Sequence, residues 1–367
     1  NNYNFMLRAY LPPFIIAALI SGGLTYYVKT LAWRFKIFDS PSPRKIHHKP
    51  IPRLGGVAII ISFLIVIIAY SLASNRLEFS PFHIAFIDKR IIGVLGGLLI
   101  LAIVGIYDDI RGVGPISKLF WQIVAASMVV VGGLTITFLR LPFGFHLDLT
   151  TIQFPIEIFS VNLTVVLWGD LLTIFWIVLL VNTFNFLDGL DGLASGIAGI
   201  TAMVIFFLSL ALGQDANALL AVLIAGVAIG FLPWNFNPAR IFLGDSGSMS
   251  LGFLIAVLSI ISGGKLATAF LVLGIPVLDV GWVVVRRIFA GKSPFVADRK
   301  HLHHRLLTAG LSQRQAVILL YLISIVFGSI GVLAKTQEKI TAILFLFGLM
   351  ASLGLVLVIL EWRKKRV

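Results

Sequence analysis

The chain has 367 residues, of which 59% are hydrophobic and only 12% are charged, and its mean hydropathy is +1.01. Soluble proteins of this length carry more charge, so the composition excludes a water-soluble globular protein and indicates a polytopic protein of a lipid bilayer. There is no cysteine, which excludes disulfide bonds and thiolate metal sites, and the net charge is +13. We assign that excess charge first to cytoplasmic loops, and we expect no nucleic-acid partner.

We predict an all-α membrane protein with about eleven spanning helices, each close to the ~20 residues that a bilayer requires. They form a single integral membrane domain over residues 1–367, without a soluble domain. The ninth span contains Gly274, Pro276 and Asp279, so we expect a broken or kinked helix there. Alternating residues after the fourth span predict a small interfacial β-hairpin near 143–160. The predicted spans are 11–33, 55–74, 91–107, 119–139, 164–184, 194–212, 216–234, 247–262, 266–289, 315–334 and 340–360.

The distribution of basic residues predicts the orientation. About 20 Lys and Arg residues lie in the loops after odd-numbered spans, against about 8 on the other side. Since basic loops stay in the cytoplasm, we expect the N-terminus outside and the C-terminus in the cytoplasm. The polar segments, which did not set this orientation, all fall on the cytoplasmic side, so we expect them to form one active site. They lie near 36–54, 108–118, 185–194, 235–247 and 290–314.

The first polar segment is Pro41–Gly56, in which four prolines stiffen a basic stretch beside the membrane. Three of its residues are positively charged and one is a histidine that can bind a proton: Lys45, Lys49, Arg53 and His47. Such a stretch either binds anionic lipid headgroups in general or grips the phosphate of one lipid substrate.

The second is the pair Asp108–Asp109 at the cytoplasmic end of the third span. Adjacent carboxylates repel each other, so a bound proton or cation is expected to neutralise part of their charge. A simple solvated helix end is the alternative, although acidic groups at a helix C-terminus oppose the helix dipole.

The third is Asn182–Gly192, where Asn182, Asn185 and Asp188 recur at i, i+3 and i+6 and Asp191 follows. At a helix end these side chains would lie roughly along one face and could hold a polar ligand or a cation. Asn, Asp and Gly are also ordinary turn formers, so a simple turn is the alternative.

The fourth is Asn235–Gly247, in which Asp245 stands between small residues just before the eighth span. Mg²⁺ typically takes one or two carboxylates together with phosphate oxygens and waters. Asp245 is therefore a candidate metal ligand, and a helix N-cap is the alternative.

The fifth contains His301, His303, His304 and Arg305, preceded by Asp298, Arg299 and Lys300. A histidine cluster suggests zinc. Because basic residues flank the histidines and no cysteine exists, we favour an anionic ligand such as a diphosphate. A basic loop facing lipid is the alternative.

Acids for a metal, amides for a polar head and basic loops for phosphates together indicate phosphoryl transfer from a nucleotide substrate to a phosphate in the membrane. These motifs resemble those of the polyprenyl-phosphate N-acetylhexosamine-1-phosphate transferase family. Asp108–Asp109 matches its acidic pair, and Asn182–Leu193 resembles its Asn-x-x-Asn-x-x-Asp-Gly-x-Asp-Gly-Leu signature. Residues 235–247 resemble its Asn…Phe-x-Gly-Asp-x-Gly signature, and 301–306 resemble the His-x-His-His-Arg-Leu pattern of its N-acetylglucosamine branch.

The resemblance implies transfer of N-acetylglucosamine-1-phosphate from UDP-N-acetylglucosamine to undecaprenyl phosphate, with UMP as product. It implies Mg²⁺, with Mn²⁺ as a substitute, a homodimer, and an active site on the cytoplasmic face of the bacterial inner membrane. This reaction initiates a cell-envelope polysaccharide. Asp108, Asp109 and Asp245 are expected to be catalytic, with the metal on Asp108 and Asp245. The expected substrate-binding residues are Lys45, His47, Lys49, Arg53, Asn182, Asn185, Asp188, Asp191, Asn235, His301, His303, His304 and Arg305.

Two other functions stay open at this point. The same chemistry on another UDP-sugar, such as UDP-N-acetylmuramoyl-pentapeptide or a diamino-sugar, is the nearest. An ion-coupled transporter is the other, because Asp279 lies inside an interrupted span. Against a transporter, the chain has no internal repeat and its acids cluster at one face.

Overall fold

The computed structural model describes residues 2–40, 49–79, 83–84, 87–140, 145–158, 161–262, 265–289, 291 and 301–364. Within them, long apolar helices dominate and a few short strands connect them. The helices are α1 (Asn2–Arg34), α2 (Gly55–Ala73), α3 (Lys89–Arg111), α4 (Pro115–Val131), α5 (Leu167–Leu187), α6 (Leu193–Ala211), α7 (Asp215–Asn235), α8 (Gly244–Ile261), α9 (Leu266–Phe289), α10 (Leu302–Ala309), α11 (Gln313–Leu333) and α12 (Thr336–Lys364).

The helices confirm a polytopic all-α membrane protein. Ten of them in the described ranges are long and apolar enough to cross a bilayer, namely all except α4 and α10. The helix α4 is apolar but has only 17 residues, which is just short of that length. Each of the eleven predicted spans therefore coincides with an apolar helix. Ten rather than eleven of the described helices reach spanning length, because α4, the predicted fourth span, is too short.

The expectation of a broken ninth helix was wrong, since α9 stays helical from Leu266 to Phe289 with Pro276 inside it. Proline has no backbone N–H, so the carbonyl of Val272, four residues earlier, loses its partner. The hydroxyl of Ser324 in α11 donates to that carbonyl at 3.0 Å. A neighbouring helix thus satisfies the carbonyl, which lets a proline remain within a membrane helix.

The predicted hairpin near 143–160 is corrected to two antiparallel ladders. The strand β5 (Phe138–Arg140) pairs with β6 (His146–Asp148), and β7 (Gln153–Ile158) pairs with β8 (Val161–Val166). The polar and apolar residues alternate in both halves of this stretch, so sequence periodicity does not separate one hairpin from two. Two shorter ladders complete the strands of the described residues and precede these in the chain. One pairs β1 (Phe38–Asp39) with β2 (Ile51–Pro52), and the other pairs β3 (His83–Ile84) with β4 (Ile87–Asp88).

The helix α8 lies at the centre of the bundle. Nearly all of its side chains are buried, and it packs against α2, α3, α5, α6, α7 and α9. At the other extreme α12 buries little of its surface. The central position of α8 brings its first turn, which carries Asp245, against the ends of three neighbouring helices.

A close approach of α3 to α8 depends on Gly105. A Cβ atom at this position would lie 2.4 Å from the Cα atom of Ser246 in the first turn of α8. We expect Gly105→Ala to push the two backbones apart and to lower the stability by about 1–3 kcal/mol, with a loss of activity. Thermal unfolding in detergent checks this.

Gly23→Ala in α1 is the matched control, because no heavy atom lies within 4 Å of its added Cβ. That variant is expected to keep its melting temperature. An unchanged melting temperature in Gly105→Ala would contradict the close contact.

Candidate active site

Four helix ends and one loop meet around the carboxylate of Asp245. The helix α8 supplies Asp245 in its first turn, α4 supplies Lys118 in its first turn, and α5 supplies Asn185 in its last turn. The C-terminal turn of α3 contributes Asp108 and its neighbour, and Arg53 comes from the residues before α2. Helix ends that approach one point bring together side chains that are far apart in the sequence.

The carboxylate of Asp245 is held from three sides. Asn185 donates its side-chain N–H to Oδ1 at 2.5 Å. Arg53 Nη2 lies 3.3 Å and Lys118 Nζ lies 3.2 Å from Oδ2. The side chain remains 17% exposed, and its neighbours Gly244 and Arg53 line the adjacent cavity.

Asp108 faces Asp245 across Lys118. The ammonium group of Lys118 forms ion pairs with both carboxylates. The other oxygen of Asp108 accepts the backbone N–H of Val113 at 2.5 Å. Among the described residues, the buried Oδ2 of Asp108 accepts no hydrogen bond of regular geometry. Among the described residues, the negative charge on Oδ2 of Asp108 is therefore compensated by its ion pair with Lys118.

Asp109 points in a different direction and is fully engaged. Its Oδ1 accepts the backbone N–H of Asp245 at 2.8 Å, and its Oδ2 accepts the N–H and the hydroxyl of Ser246 at 3.1 and 2.7 Å. Arg53 Nε lies 3.1 Å from Oδ1, and the side chain of Asp109 is 0% exposed. A carboxylate at a helix N-terminus is stabilised by the helix dipole. Asp109 therefore caps α8 from α3 and leaves no free lone pair toward the cavity.

A cavity of about 890 Å³ opens beside this cluster. It is bounded by the residues before α2, the turn after α5 and the loop between α7 and α8. Basic, acidic and aromatic side chains line it together. They belong to Trp33, Asp39, Lys49, Pro50, Ile51, Pro52, Arg53, Asp188, Gly189, Leu190, Asp191, Asn235, Asn237, Pro238, Ala239, Arg240, Phe242, Gly244, His304 and Gln313.

Asp188 presents a carboxylate to this cavity at the end of α5. Burial raises its pKa well above the ordinary value, and the negative charges of Asp245 and Asp109 raise it further. Arg53 acts in the opposite direction. Within the described residues no side chain or backbone group donates a hydrogen bond to Asp188, so its oxygens are available to a ligand.

Asp191 and Asn235 line the cavity, but their side chains form hydrogen bonds within the protein and so stabilise the cavity wall. Asp191 Oδ2 accepts from Asn237 Nδ2 at 3.0 Å and from the N–H of Ala239 at 3.1 Å. Asn235 is 2% exposed, accepts the N–H of Gly192 at 3.1 Å and donates to the carbonyl oxygen of Ile241 at 3.1 Å. Both side chains tie the turn after α5 to the loop before α8.

The histidines divide into one that lines the cavity and two that are buried behind it. His304 lines the cavity, whereas His301 and His303 are each 5% exposed. Burial, together with the neighbouring His304 and His301, lowers the pKa of His303 to about 3, so its ring is neutral at working pH. Arg305 points to α12, where its guanidinium lies 3.5 Å from the carbonyl oxygen of Gly354.

Other predicted residues lie elsewhere. Asn182 lies slightly less than one helical turn deeper in the bundle than Asn185. There it donates to Gln122 Oε1 at 2.7 Å, and it does not line the cavity. Lys49 lines the cavity as expected. Lys45 and His47 lie outside the described residues. The structure thus brings Asp108, Asp245, Asn185, Arg53 and Lys49 around one site and leaves Asn182 apart.

Sequence reasoning missed Lys118 and the contacts of Asp279. Lys118 counted only as a cytoplasmic charge, although its position three residues into a helix that follows the Asp108–Asp109 pair was a usable signal. Asp279 was considered only as a buried Asp or a transporter residue. In the structure it contacts the backbone and the ring at the start of α10.

The donor set suits a hard cation better than zinc. Among the described residues, the three carboxylates of Asp108, Asp109 and Asp245 form ion pairs with two cations, Arg53 and Lys118, which leaves one negative charge in excess within this set. No group of three or more His, Asp or Glu in the described ranges could enclose a metal. The under-compensated Oδ2 of Asp108 and the exposed edge of Asp245 fit an ion such as Mg²⁺ that completes its shell with phosphate and water oxygens.

Comparison with known proteins gives consistent matches. Residues 91–263 match the family model described as glycosyl transferase family 4. A Bacillus subtilis protein named probable undecaprenyl-phosphate N-acetylglucosaminyl 1-phosphate transferase is 33% identical over 91% of this chain and 87% of its own length. Decaprenyl-phosphate N-acetylglucosaminephosphotransferase of Mycolicibacterium smegmatis is 36% identical over 84% of this chain and 78% of its own. Undecaprenyl-phosphate alpha-N-acetylglucosaminyl 1-phosphate transferase of Escherichia coli O157:H7 is 27% identical over 88% and 84%.

Proposed function

The chain belongs to the family of polyprenyl-phosphate N-acetylglucosamine-1-phosphate transferases, and we propose from this premise that it transfers N-acetylglucosamine-1-phosphate from UDP-N-acetylglucosamine to undecaprenyl phosphate. The products are undecaprenyl-diphosphate-N-acetylglucosamine and UMP. A lipid-phosphate oxygen bonds to the phosphorus that carries the sugar, and the bond from this phosphorus to the bridging oxygen breaks. The bridging oxygen leaves with UMP, and a new diphosphate forms on the lipid.

One observation carries the proposal: the carboxylates around Asp245 lie beside a cavity of about 890 Å³, whose wall includes Arg53 and Gly244 from the same cluster. Phosphoryl transfer depends on positioning the phosphates and on neutralising their charge. Lys49 and Arg53 on the wall of the cavity supply positive charge for phosphates, and the carboxylates supply the place for a cation. No other cavity side chain is needed as a covalent partner.

We assign the cation to Asp108 and Asp245, because these two carboxylates face each other across a single ammonium group, that of Lys118. When bound there, Mg²⁺ or Mn²⁺ would offset the charge of the diphosphate and of the departing UMP. Asn185 holds Asp245 in place, and Lys118 keeps the two carboxylates together in the absence of substrate.

The nucleophile is an oxygen of the lipid phosphate. The second pKa of a phosphate monoester is about 6, so this group is largely ionised at neutral pH and needs no strong base. Asp109 has no free oxygen for proton transfer or for attack on phosphorus. We therefore assign Asp109 to holding α8 and favour direct attack by the lipid phosphate over a two-step route through Asp109.

The nucleotide end is assigned to the wall formed by the turn after α5. Asp188 offers free oxygens to hydroxyl groups of the ribose or sugar, and Asp191 and Asn235 hold the wall in shape. His304 is the histidine placed to meet the diphosphate.

The basic loops support a cytoplasmic location of this site and an outward N-terminus, under the positive-inside bias. The bacterial inner membrane as the location and a homodimer as the assembly both follow from the family resemblance. All four of these assignments stay predictions.

A comparison of radiolabelled donors tests the substrate. We expect transfer to lipid from UDP-N-acetylglucosamine and little from UDP-N-acetylmuramoyl-pentapeptide or a UDP-diamino-sugar. A preference for one of the other UDP-sugars would contradict the assignment of UDP-N-acetylglucosamine as donor and would indicate the same reaction on a different sugar. The transporter alternative was based on Asp279 inside an interrupted span. It is no longer favoured, because Asp279 contacts His301 and Leu302.

The raised pKa of Asp188 predicts a pH dependence. If the ionised carboxylate accepts hydroxyl groups of the donor, kcat/KM for UDP-N-acetylglucosamine falls as the pH is lowered through that raised pKa. The fall should therefore begin above the ordinary aspartate range of about 4. Because the lipid phosphate itself gains a proton at about pH 6, the limb is compared in donor binding measured without lipid phosphate. There, Asp188→Asn should weaken binding and remove the fall at low pH. Persistence of the same limb in the variant would contradict the assignment.

A further inference from the structure

We propose that Asp279 is a positioning residue which, through His301 and His303, holds the turn Asp188–Asp191 in its substrate-binding shape. The inference rests on the proposed function, since it assigns the nucleotide end to that turn. It gives a role to three buried polar side chains, and none of the three lines the cavity.

Asp279 makes two contacts with the start of α10. Its Oδ1 accepts the backbone N–H of Leu302 at 2.9 Å, and its Oδ2 lies 2.9 Å from His301 Nδ1. Asp279 is 8% exposed, and its contacts with α10 are shielded from water. The helix α10 has only eight residues and no cap from its own side chains, so Asp279 caps it from α9. The same carboxylate fixes the orientation of the His301 ring.

The ring of His301 is the middle member of a stack. Phe186 in the last turn of α5 lies on one side, with ring centroids 5.0 Å apart, and His303 lies on the other at 5.7 Å and nearly parallel. Parallel rings in a buried setting have little freedom to tilt. A change in the position of His301 is therefore passed on to both neighbours.

Both neighbours of His301 contact the turn. Phe186 precedes Asp188 by two residues, and His303 lies directly against Gly189. A Cβ atom added at Gly189 would be 2.5 Å from His303 Nε2, so only glycine permits this approach. The turn is thereby supported from behind on both sides of Asp188, while its front faces the cavity.

The chain of contacts explains why the histidines are close to the active site without facing it. His303 stays uncharged, because burial holds its pKa at about 3, and an uncharged ring can pack against a backbone without attracting an anion. His301 and His303 act as packing between α9 and the turn, and of the three histidines at 301, 303 and 304 it is His304 that lines the substrate cavity.

The test is a comparison of two asparagine variants in the full-length protein. Asp279→Asn keeps an oxygen for the N–H of Leu302 but removes the charge that orients His301. We expect KM and the dissociation constant for UDP-N-acetylglucosamine to rise about tenfold or more, since misplacement by about 1 Å can cost 10²-fold. KM for undecaprenyl phosphate should change by less than about twofold.

Asp170→Asn is the matched control. Asp170 is also buried, at 7% exposure, and accepts one side-chain hydroxyl and one backbone N–H, from Thr135 at 2.6 Å and Val166 at 2.9 Å. It lies at the opposite end of α5, roughly 22 Å along the helix from Asn185. A loss of stability without a change in donor KM is expected there. Equal donor KM values in the two variants would overturn the proposal.

A second pair of variants decides the question if Asp279→Asn does not fold. Gly189→Ala should weaken donor binding because its methyl group collides with His303. His303→Ala alone should also weaken it, because the turn loses the ring that supports it. Wild-type donor binding in either variant would overturn the proposal. Donor binding is measured without lipid acceptor, so a wild type that binds the donor but releases no UMP would refute the proposed function and leave this comparison valid.

Discussion

Asp245→Asn is expected to lower kcat by more than about 10²-fold, the scale seen when one preorganised charge-stabilising group is removed from an active site. Asparagine has the same shape but no charge, so it can still accept the N–H of Asn185 but binds a hard cation poorly. Raising the Mg²⁺ concentration should recover little. UMP release over a range of Mg²⁺ concentrations measures the effect.

The fold should tolerate this change. Without the charge of Asp245, Arg53 still pairs with Asp109 and Lys118 still pairs with Asp108. The repulsion between the carboxylates also decreases, so the melting temperature should stay equal or rise. Asp148→Asn, on the exposed strand β6, is the control with full activity. Retained turnover in Asp245→Asn at all Mg²⁺ concentrations would refute the assignment of Asp245 to the cation.

Asp109→Asn is expected to have the largest effect on stability. The fully buried carboxylate accepts three hydrogen bonds from the first turn of α8 and pairs with Arg53, whose side chain is 34% exposed and screens part of the ion pair. An asparagine presents one N–H₂ group toward donors and leaves Arg53 with Asp245 alone. Loss of one partner of a buried pair costs about 3–5 kcal/mol.

Thermal unfolding in detergent checks this prediction, with Asp245→Asn as the comparison. We expect a lower melting temperature in Asp109→Asn, with activity lost through displacement of the first turn of α8. Higher pH should not rescue it. A variant with wild-type stability whose activity recovered at high pH would instead identify Asp109 as a proton acceptor.

The spans and the clustering of the polar loops could be predicted from the sequence, because both depend on composition and on local charge. The direction of each side chain could not. Asp108 and Asp109 are adjacent in a helix and so point about 100° apart. One therefore faces Asp245 and the other caps α8, a difference that sequence spacing does not reveal.

Spacing also overstated the role of Asn182. Residues at i, i+3 and i+6 drift across a helix face by about 120° and span about 9 Å along its axis. Asn185 reaches Asp245, whereas Asn182 ends beside Gln122 in the bundle. The burial of His301 depends on Asp279, 22 residues earlier in the chain, so the histidine motif alone indicated a ligand where the structure has packing.

The most direct test of the central claim is UMP release by the purified protein from UDP-N-acetylglucosamine and undecaprenyl phosphate, with and without Mg²⁺. We predict UMP and a lipid-linked N-acetylglucosamine in equal amounts, and only when both substrates and the cation are present. UMP release that does not depend on the lipid phosphate, or uptake of substrate by proteoliposomes without UMP release, would contradict the transferase assignment.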